Sequence, residues 1–518
     1  MNVTPNPSTN SAMKRTLLAY SLLLLALAAT AGSPLRAQRY DVLWRSNPWN
    51  GGPLRAGLRS DTLSLSYAEL YAAKQNGGMT DHSVSDDSFS AGVRTESVRH
   101  FRKISFAGKF AYDYADGNNQ CGSMMLRPGF WPVGIYEFTP GRKIRETYAF
   151  TGGLSVDLSE QWRGALEVDF AAANYAKRKD LRHKNTALDL EAVPSVQWHH
   201  GKWSAAAAYL FAKNTERVEA EEVGSTPLSY DAFFDKGLFY GVQSLWTGNG
   251  IHLTDTGINA LPLKEMTHGA ALGIQYGTLF AEAVYRHRSG ESGEKGSVWH
   301  QFAGNGLQLR LEARFDRGDD SHWLRFRFGR EVRQNRETVT VYETTGGVVN
   351  ASTYGSVPVW AARQIATRLA YEWRRGASGV RAGADYALVR QQSSLLYPEL
   401  REQALRHWVL WTEGVWAVGR VELTAALSGR WGTHAESARS ESSEMVPDSA
   451  YPERLGEYAE WHDEYLTATR LGARLGLRVR IVKGFYADAS ARYEHGFRLC
   501  RVPQPNRIEA VLALGYQW

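Results

Sequence analysis

Charged residues at every second position are the first chemical feature of this chain. Arg310, Glu312 and Arg314 alternate with Leu309, Leu311 and Phe315, and Arg325 and Arg327 with Leu324, Phe326 and Phe328. Nearer the C-terminus, Arg474, Arg478 and Arg480 alternate with Ala473, Leu475, Leu477 and Val479, and Asp488, Arg492 and Glu494 with Ala487, Ala489, Ala491 and Tyr493. A period of two puts the charges on one face of a strand and the apolar residues on the other. If the apolar face meets lipid, the charges line a lumen, where an arginine stripe would bias passage toward anions. Opposite charges on adjacent strands favour a blander reading, a ladder of salt bridges bracing the wall.

Other residue types give little chemistry. The 14 His are scattered, and His199 and His200 occupy a short turn where a metal would need further ligands. No catalytic, cofactor-binding or metal-binding residues are expected, and the chain is not expected to be an enzyme. Arg317, Gly318 and Asp319 spell an adhesion-like tripeptide but fall where a turn is needed. The glycine-rich pieces near 51 and 290 do not join a strand to a helix, so they make no phosphate cradle. The net charge of +6 includes Lys14, Arg15 and Arg36 of the first 37 residues, and the +3 left without them is too weak and too evenly spread for nucleic acid. Cys121 and Cys500, the two cysteines, could pair or stay free. A cluster of aromatics, Phe130, Trp131, Tyr136, Phe233, Phe234, Phe239, Tyr240 and Trp246, falls in long polar connections, too much apolar surface to leave in water.

These residues need strands to position them. The two-residue period recurs from about residue 60 to the end, divided by short turns after Leu158, at His199 to Lys202, and near Gly277, Gly318, Gly376 and Gly419. Longer stretches alternate with these turns: 74 to 89, 116 to 145, 214 to 266, 290 to 304, 334 to 358, 392 to 403 and 432 to 464. Sorting of connections by parity is a habit of outer-membrane barrels, with short periplasmic turns and long external loops. Counting turns predicts an all-β, transmembrane antiparallel barrel of about 18 strands, or 16 if the first turn is dropped. The mean hydropathy of −0.39 excludes a helical membrane protein but not a barrel, whose strands dilute each apolar residue with a polar neighbour.

The ends of the chain carry addresses. Lys14 and Arg15 precede an apolar run from Leu17 to Ala31, which reads as a secretory signal over residues 1–37. Residues 38–59 then read as a short periplasmic segment, and 60–518 as the barrel. At the C-terminus Leu512, Leu514, Tyr516 and Trp518 share a parity, and the chain stops on an aromatic. Such a strand resembles the signal read by barrel-assembly machinery.

Taken in order, "SNPWN" (46 to 50), "RPGFWPVGIYEF" (127 to 138), "GGLSVDLSEQWRGALEVDF" (152 to 170) and "YDAFFDKGLFYGVQ" (230 to 243) resemble an uncharacterised family of outer-membrane β-barrel proteins from Bacteroidota-type bacteria. The resemblance implies fold and location in the Gram-negative outer membrane, with lipid as partner, and no catalytic residues. The expected function is a channel for small solutes or a loop-plugged barrel. A non-conducting platform binding a surface lipoprotein is the alternative, and a barrel enzyme the third reading. An energised receptor is disfavoured, since its 22 strands and separate plug domain exceed what this chain holds.

Overall fold

The computed structural model describes residues 45–55, 64–179, 181–221, 232–239, 242–244, 253–254, 257–294, 297–345, 348–393, 400–439, 453–482 and 484–518. The signal at 1–37 and the aromatics Tyr240 and Trp246 lie outside them. The strands in chain order are β1 Leu65–Asn76, β2 Asp87–His100, β3 Ile104–Ser123, β4 Gly134–Asp157, β5 Trp162–Lys177, β6 Arg182–His200 and β7 Trp203–Glu221. Three short pieces follow: β8 Ala232–Asp235, β9 Val242–Ser244 and β10 Leu253–Thr254. The wall resumes with β11 Gly257–Tyr276, β12 Leu279–Glu294, β13 Ser297–Arg317, β14 Asp320–Thr345, β15 Val348–Arg375, β16 Ser378–Ser393, β17 Leu400–Val418 and β18 Val421–Arg439. Helix α1, Glu453–Thr467, precedes β19 Thr469–Arg480, β20 Phe485–Phe497 and β21 Asn506–Gln517.

Every wall strand pairs antiparallel with its sequence neighbour, and β7 pairs with β11 past the three short pieces. The last strand returns to the first, with Tyr67 opposite Gln517 and Asn76 opposite Ile508, which closes an 18-stranded barrel. Trp518 completes the seam: its amide donates to the Ser66 carbonyl at 2.9 Å and its carbonyl accepts from Ser66 at 3.0 Å. Closure leaves no strand edge, so each wall amide finds a partner without water.

The apolar parity faces outward. Leu272, Leu475, Leu512 and Leu514 are 63%, 67%, 65% and 62% exposed, values that a soluble protein would not tolerate along a whole face. The belt spans hairpins whose two-residue turns share one device. Gly201, Gly277, Gly318, Gly376 and Gly419 have φ between 56° and 60°, and the residue after each is not in the left-handed region. A glycine of positive φ at the first central position and an ordinary residue at the second make a type II′ turn, whose twist suits a hairpin. The Arg317-Gly318-Asp319 tripeptide is one of these turns.

Two expectations need correction. The stretches 290–304 and 334–358, expected as external loops, are mostly strand: β14 and β15 run 26 and 28 residues, joined across 346–347. A strand needs only about 9–11 residues to cross a bilayer. Beyond the belt neither face meets lipid, so the alternation fades while backbone pairing continues. The second correction concerns residues 45–55, expected to stand in the periplasm. They lie against the inward-facing side chains of the wall.

Candidate functional site

The inner wall carries its charges as linked pairs. Arg310 bonds Glu282 at 3.1 Å and Glu312 at 3.3 Å, and Arg325 bonds Glu312 at 3.2 Å. Arg325 also pairs with Glu372, which Arg374 holds from its other side at 2.5 Å. The chain of alternating charge crosses β12, β13, β14 and β15 without a break. Each guanidinium meets a carboxylate, so this stretch braces the wall rather than presenting a bare cationic stripe. Elsewhere Arg478 bonds Asp488 at 2.8 Å, Arg492 bonds Glu494 at 3.3 Å, and Arg314 bonds Asp316 at 3.1 Å near the turn end. Arg474 and Arg492 line a hollow of about 350 Å³ with Glu413 and Glu509. Arg327 borders a larger one, and Arg480 ends β19, opposite Tyr486.

Residues 45–55 enter this lumen. Asn47 caps a short 3₁₀ turn over Pro48–Gly51, its Oδ1 accepting from the Trp49 amide at 3.1 Å. Trp49 is fully buried, packed edge-on against Phe280 at 4.9 Å between ring centres, and its Nε1 donates to Gln275 Oε1. Leu54, Val193, Ala206, Ala208, Leu210, Ala271 and Val284 complete the pocket. Arg55 anchors the other end, donating to Glu167 at 2.7 Å, and Arg325 donates to the Arg45 carbonyl at 3.2 Å. The segment approaches the wall closely at 51 and 52: a Cβ at Gly51 would displace the Arg310 guanidinium, and one at Gly52 the Glu282 carboxylate. Beside the segment lies a cavity of about 710 Å³, bordered by Arg55, Arg286, Arg310, Arg327 and Arg368 and by Glu167, Asp169, Glu191, Glu282 and Asp385. Its lining is mixed in charge.

The opposite end is filled by the loops. Strand β8 pairs with the first residues of β4, from Gly134 opposite Asp235 to Glu137 opposite Ala232. Its alternation sends Phe234 into one cluster, with Met124, Met125, Trp131, Ile135 and Leu181, against which Phe130 packs. Phe233 goes into a second cluster with Tyr136, Phe138, Phe239 and Tyr458 of α1. The described loop aromatics are therefore a core, not an outward-facing surface. Glu216 inside it accepts from Trp131 Nε1, the Leu126 amide and Asn185 Nδ2 at 2.7 Å each. Glu137, Lys143 and Lys177, almost fully buried, form a triad with Nζ to carboxylate distances of 3.1 and 2.7 Å.

Helix α1 is pinned by its polar side chains. Trp461 Nε1 donates to the Thr80 carbonyl at 2.8 Å, and Glu464 accepts the backbone amides of Cys500, Arg501 and Val502 at 2.5 to 2.7 Å. Asp81 lies between His82 Nδ1 at 2.7 Å and His462 Nδ1 at 2.9 Å. Burial would raise the Asp81 carboxyl, but the two histidines outweigh it and hold it well below the usual carboxylate range. Burial likewise opposes charge on His462, yet Asp81 and then Asp463 raise its pKa, while burial lowers that of His82. A second group brings His434 within 3.5 Å of Glu436 and 3.6 Å of Asp463, which also accepts from Gln403 at 2.8 Å. Both groups have the residue types and proximity to hold a metal ion. In each, the polar atoms already bond one another across the α1 contact, so the arrangement works as a pin without one. Cys121 and Cys500 are both free; the Cys121 sulfur lies 2.9 Å from the Tyr458 hydroxyl.

The lumenal segment was not singled out by alternation, although a signal existed. In β7, Ala206, Ala208 and Leu210 are apolar on the inward parity as well as Ala205, Ala207 and Tyr209 on the outward one. A wall strand apolar on both faces needs an apolar partner inside, and "SNPWN" supplies it.

Fold and lumen together define a transmembrane β-barrel of 18 strands, with a segment lodged against its inner wall at the turn end and folded loops at the other. The chain belongs to a family described as "Family of unknown function (DUF6850)", which it matches over residues 55–517. No curated protein matches its sequence significantly. Among solved structures it is similar to the siderophore receptor PiuA from Acinetobacter baumannii, at 7% identity and a TM-score of 0.40, covering 88% of this chain and 82% of that one. It is also similar to OccAB2 from Acinetobacter baumannii, at 9% identity and 0.32, covering 88% and 97%. CdiB from Acinetobacter baumannii shows 9% identity and 0.36, and there the chain spans 60% of the relative's length. Scores this low leave cargo and mechanism to the chain's own residues.

Proposed function

We propose that this protein is a barrel of the Gram-negative outer membrane, in a Bacteroidota-type bacterium, closed at rest and opened when the segment at 45–55 withdraws to let a small polar solute pass. In this reading residues 1–37 are a cleaved export signal, and the exposed row Leu512, Leu514, Tyr516 and Trp518 is read by barrel-assembly machinery. The observation that carries it is the lodging of Trp49 in a pocket of inward-facing wall residues, its indole hydrogen-bonded to Gln275 and Arg55 beside it paired with Glu167. An 18-stranded wall is otherwise wide enough to leave an aqueous channel. The short segment is the smaller of the two fillings and so the removable part, whereas the mouth holds several clusters and a buried ionic triad. Docking of a lipoprotein through the loop aromatics is disfavoured, because the described ones are already buried among themselves.

Conductance in a planar bilayer tests this. The native chain should stay closed with brief openings, and the double variant Trp49→Ala, Arg55→Ala should gain more than tenfold in open time, since truncating a buried Trp costs about 3–5 kcal/mol. A steady open current from the native chain, or no change in the variant, would sink the proposal.

A further inference from the structure

Four arginines stand on the lipid-facing side of the wall without partners. Arg330 on β14, Arg363 on β15, Arg390 on β16 and Arg406 on β17 share the outward parity with Phe328, Leu369, Leu388 and Trp408. All four are exposed. The register makes them neighbours: Arg363 is directly opposite Arg390, Arg330 opposite Ile365, and Arg406 opposite Leu388. Each is therefore within one diagonal step of the next across four consecutive strands. None makes a hydrogen bond or ion pair among the described residues, in contrast to the matched arginines of the inner wall.

Their height is the second observation. Counting from the turn-end residues Asp320, Arg375, Ser378 and Val418, the four lie eleven to thirteen residues along their strands, where a bilayer crossing of about 9–11 residues has just ended. They thus rim the apolar belt on the loop side. The third observation is a hollow of about 600 Å³ whose lining includes Arg363, Arg390, Gln392 and Glu402 with the small side chains of Ala361 and Ala404. Arg363 and Arg390 share that lining with Glu402 and Glu436; Glu436 is paired with Arg401, so on the outer face the four guanidiniums are set against Glu402 and leave the patch positive.

Like charges set side by side on a sheet repel and destabilise it, so a cluster of four unpaired arginines calls for an external anion. We infer that this patch binds the phosphates of a phosphorylated glycolipid in the leaflet on the loop side. Guanidinium forks match phosphate oxygens bidentately, and the acyl chains of such a lipid would lie on Phe326, Phe328, Leu369 and Leu410 below. The inference rests on the outer-membrane location proposed above.

The test uses the full folded chain in mild detergent and native mass spectrometry with three probes: bis-phosphorylated lipid A, the same lipid dephosphorylated, and inorganic phosphate. Lipid A should bind, the dephosphorylated form should bind far more weakly, and inorganic phosphate should compete only at high excess. Arg363→Gln with Arg390→Gln should lower lipid A occupancy on the order of thirtyfold. Because these side chains have no partners in the wall, the variant should fold, which heat-modifiable gel migration verifies. A matched change on the inner wall, Arg474→Gln, should leave occupancy unchanged. Equal binding by the double variant or by the dephosphorylated lipid would overturn the site. If the chain inserts into vesicles yet ignores lipid A, the lipid site alone falls; if it does not insert, the location falls with it.

Discussion

Asp81 between two imidazoles is the kind of contact whose strength depends on pH in a direction that can be worked out. His462 has a folded pKa above its ordinary value of about 6.5, so its contribution is complete below that value and is lost as pH rises through the raised one. Asp81 has a depressed pKa, so its contribution is present above about 3.9 and is lost as pH falls toward its folded value. Between these limits α1 is held most firmly. Fluorescence of Trp461 and protease cleavage near α1 should therefore report loosening above neutrality, and His462→Gln should abolish that dependence. An unchanged profile in the variant would assign the pH response elsewhere. None of this was legible in the sequence, where His82 and His462 lie 380 positions apart with no fixed partner in view.

At the level of elements, the type II′ turns separate backbone strain from packing. At Gly277 and Gly419 a Cβ would meet nothing within 4 Å, so the only penalty of a side chain there is the left-handed backbone. Gly419→Ala should cost about 1–2 kcal/mol in urea unfolding of the vesicle-inserted barrel, and Asp319→Ala, at the second central position of another turn of the same type, near zero. Equal costs at both would refute the turn assignment. The glycines were readable in advance as turn signals, and so were the strands beside them, because lipid on one face and water or protein on the other impose a strict period of two. The ends of the strands were not readable. Past the belt, β14 and β15 face protein or water on both sides, and the pattern that had marked them disappears.

For the whole molecule the central claim is the orientation of the wall. Leu475, 67% exposed at the middle of β19, should tolerate no charge: Leu475→Arg is expected to cost about 2–4 kcal/mol in folding into vesicles. The same change in a soluble protein would be nearly silent at so exposed a position, so a silent outcome would show that the face does not meet lipid. The sequence by itself determined the class of fold, the strand number within two and the side of each strand that meets lipid, because hydrogen-bond closure in a bilayer allows a repeating strand no other solution. Only the tertiary structure decided what fills the lumen. Whether 45–55 stands outside or lodges in the wall, which loop aromatics bury one another, and which arginines find carboxylates or stand alone are matters of register across strands far apart in sequence. A period of two fixes a residue's face but not its neighbours around the barrel.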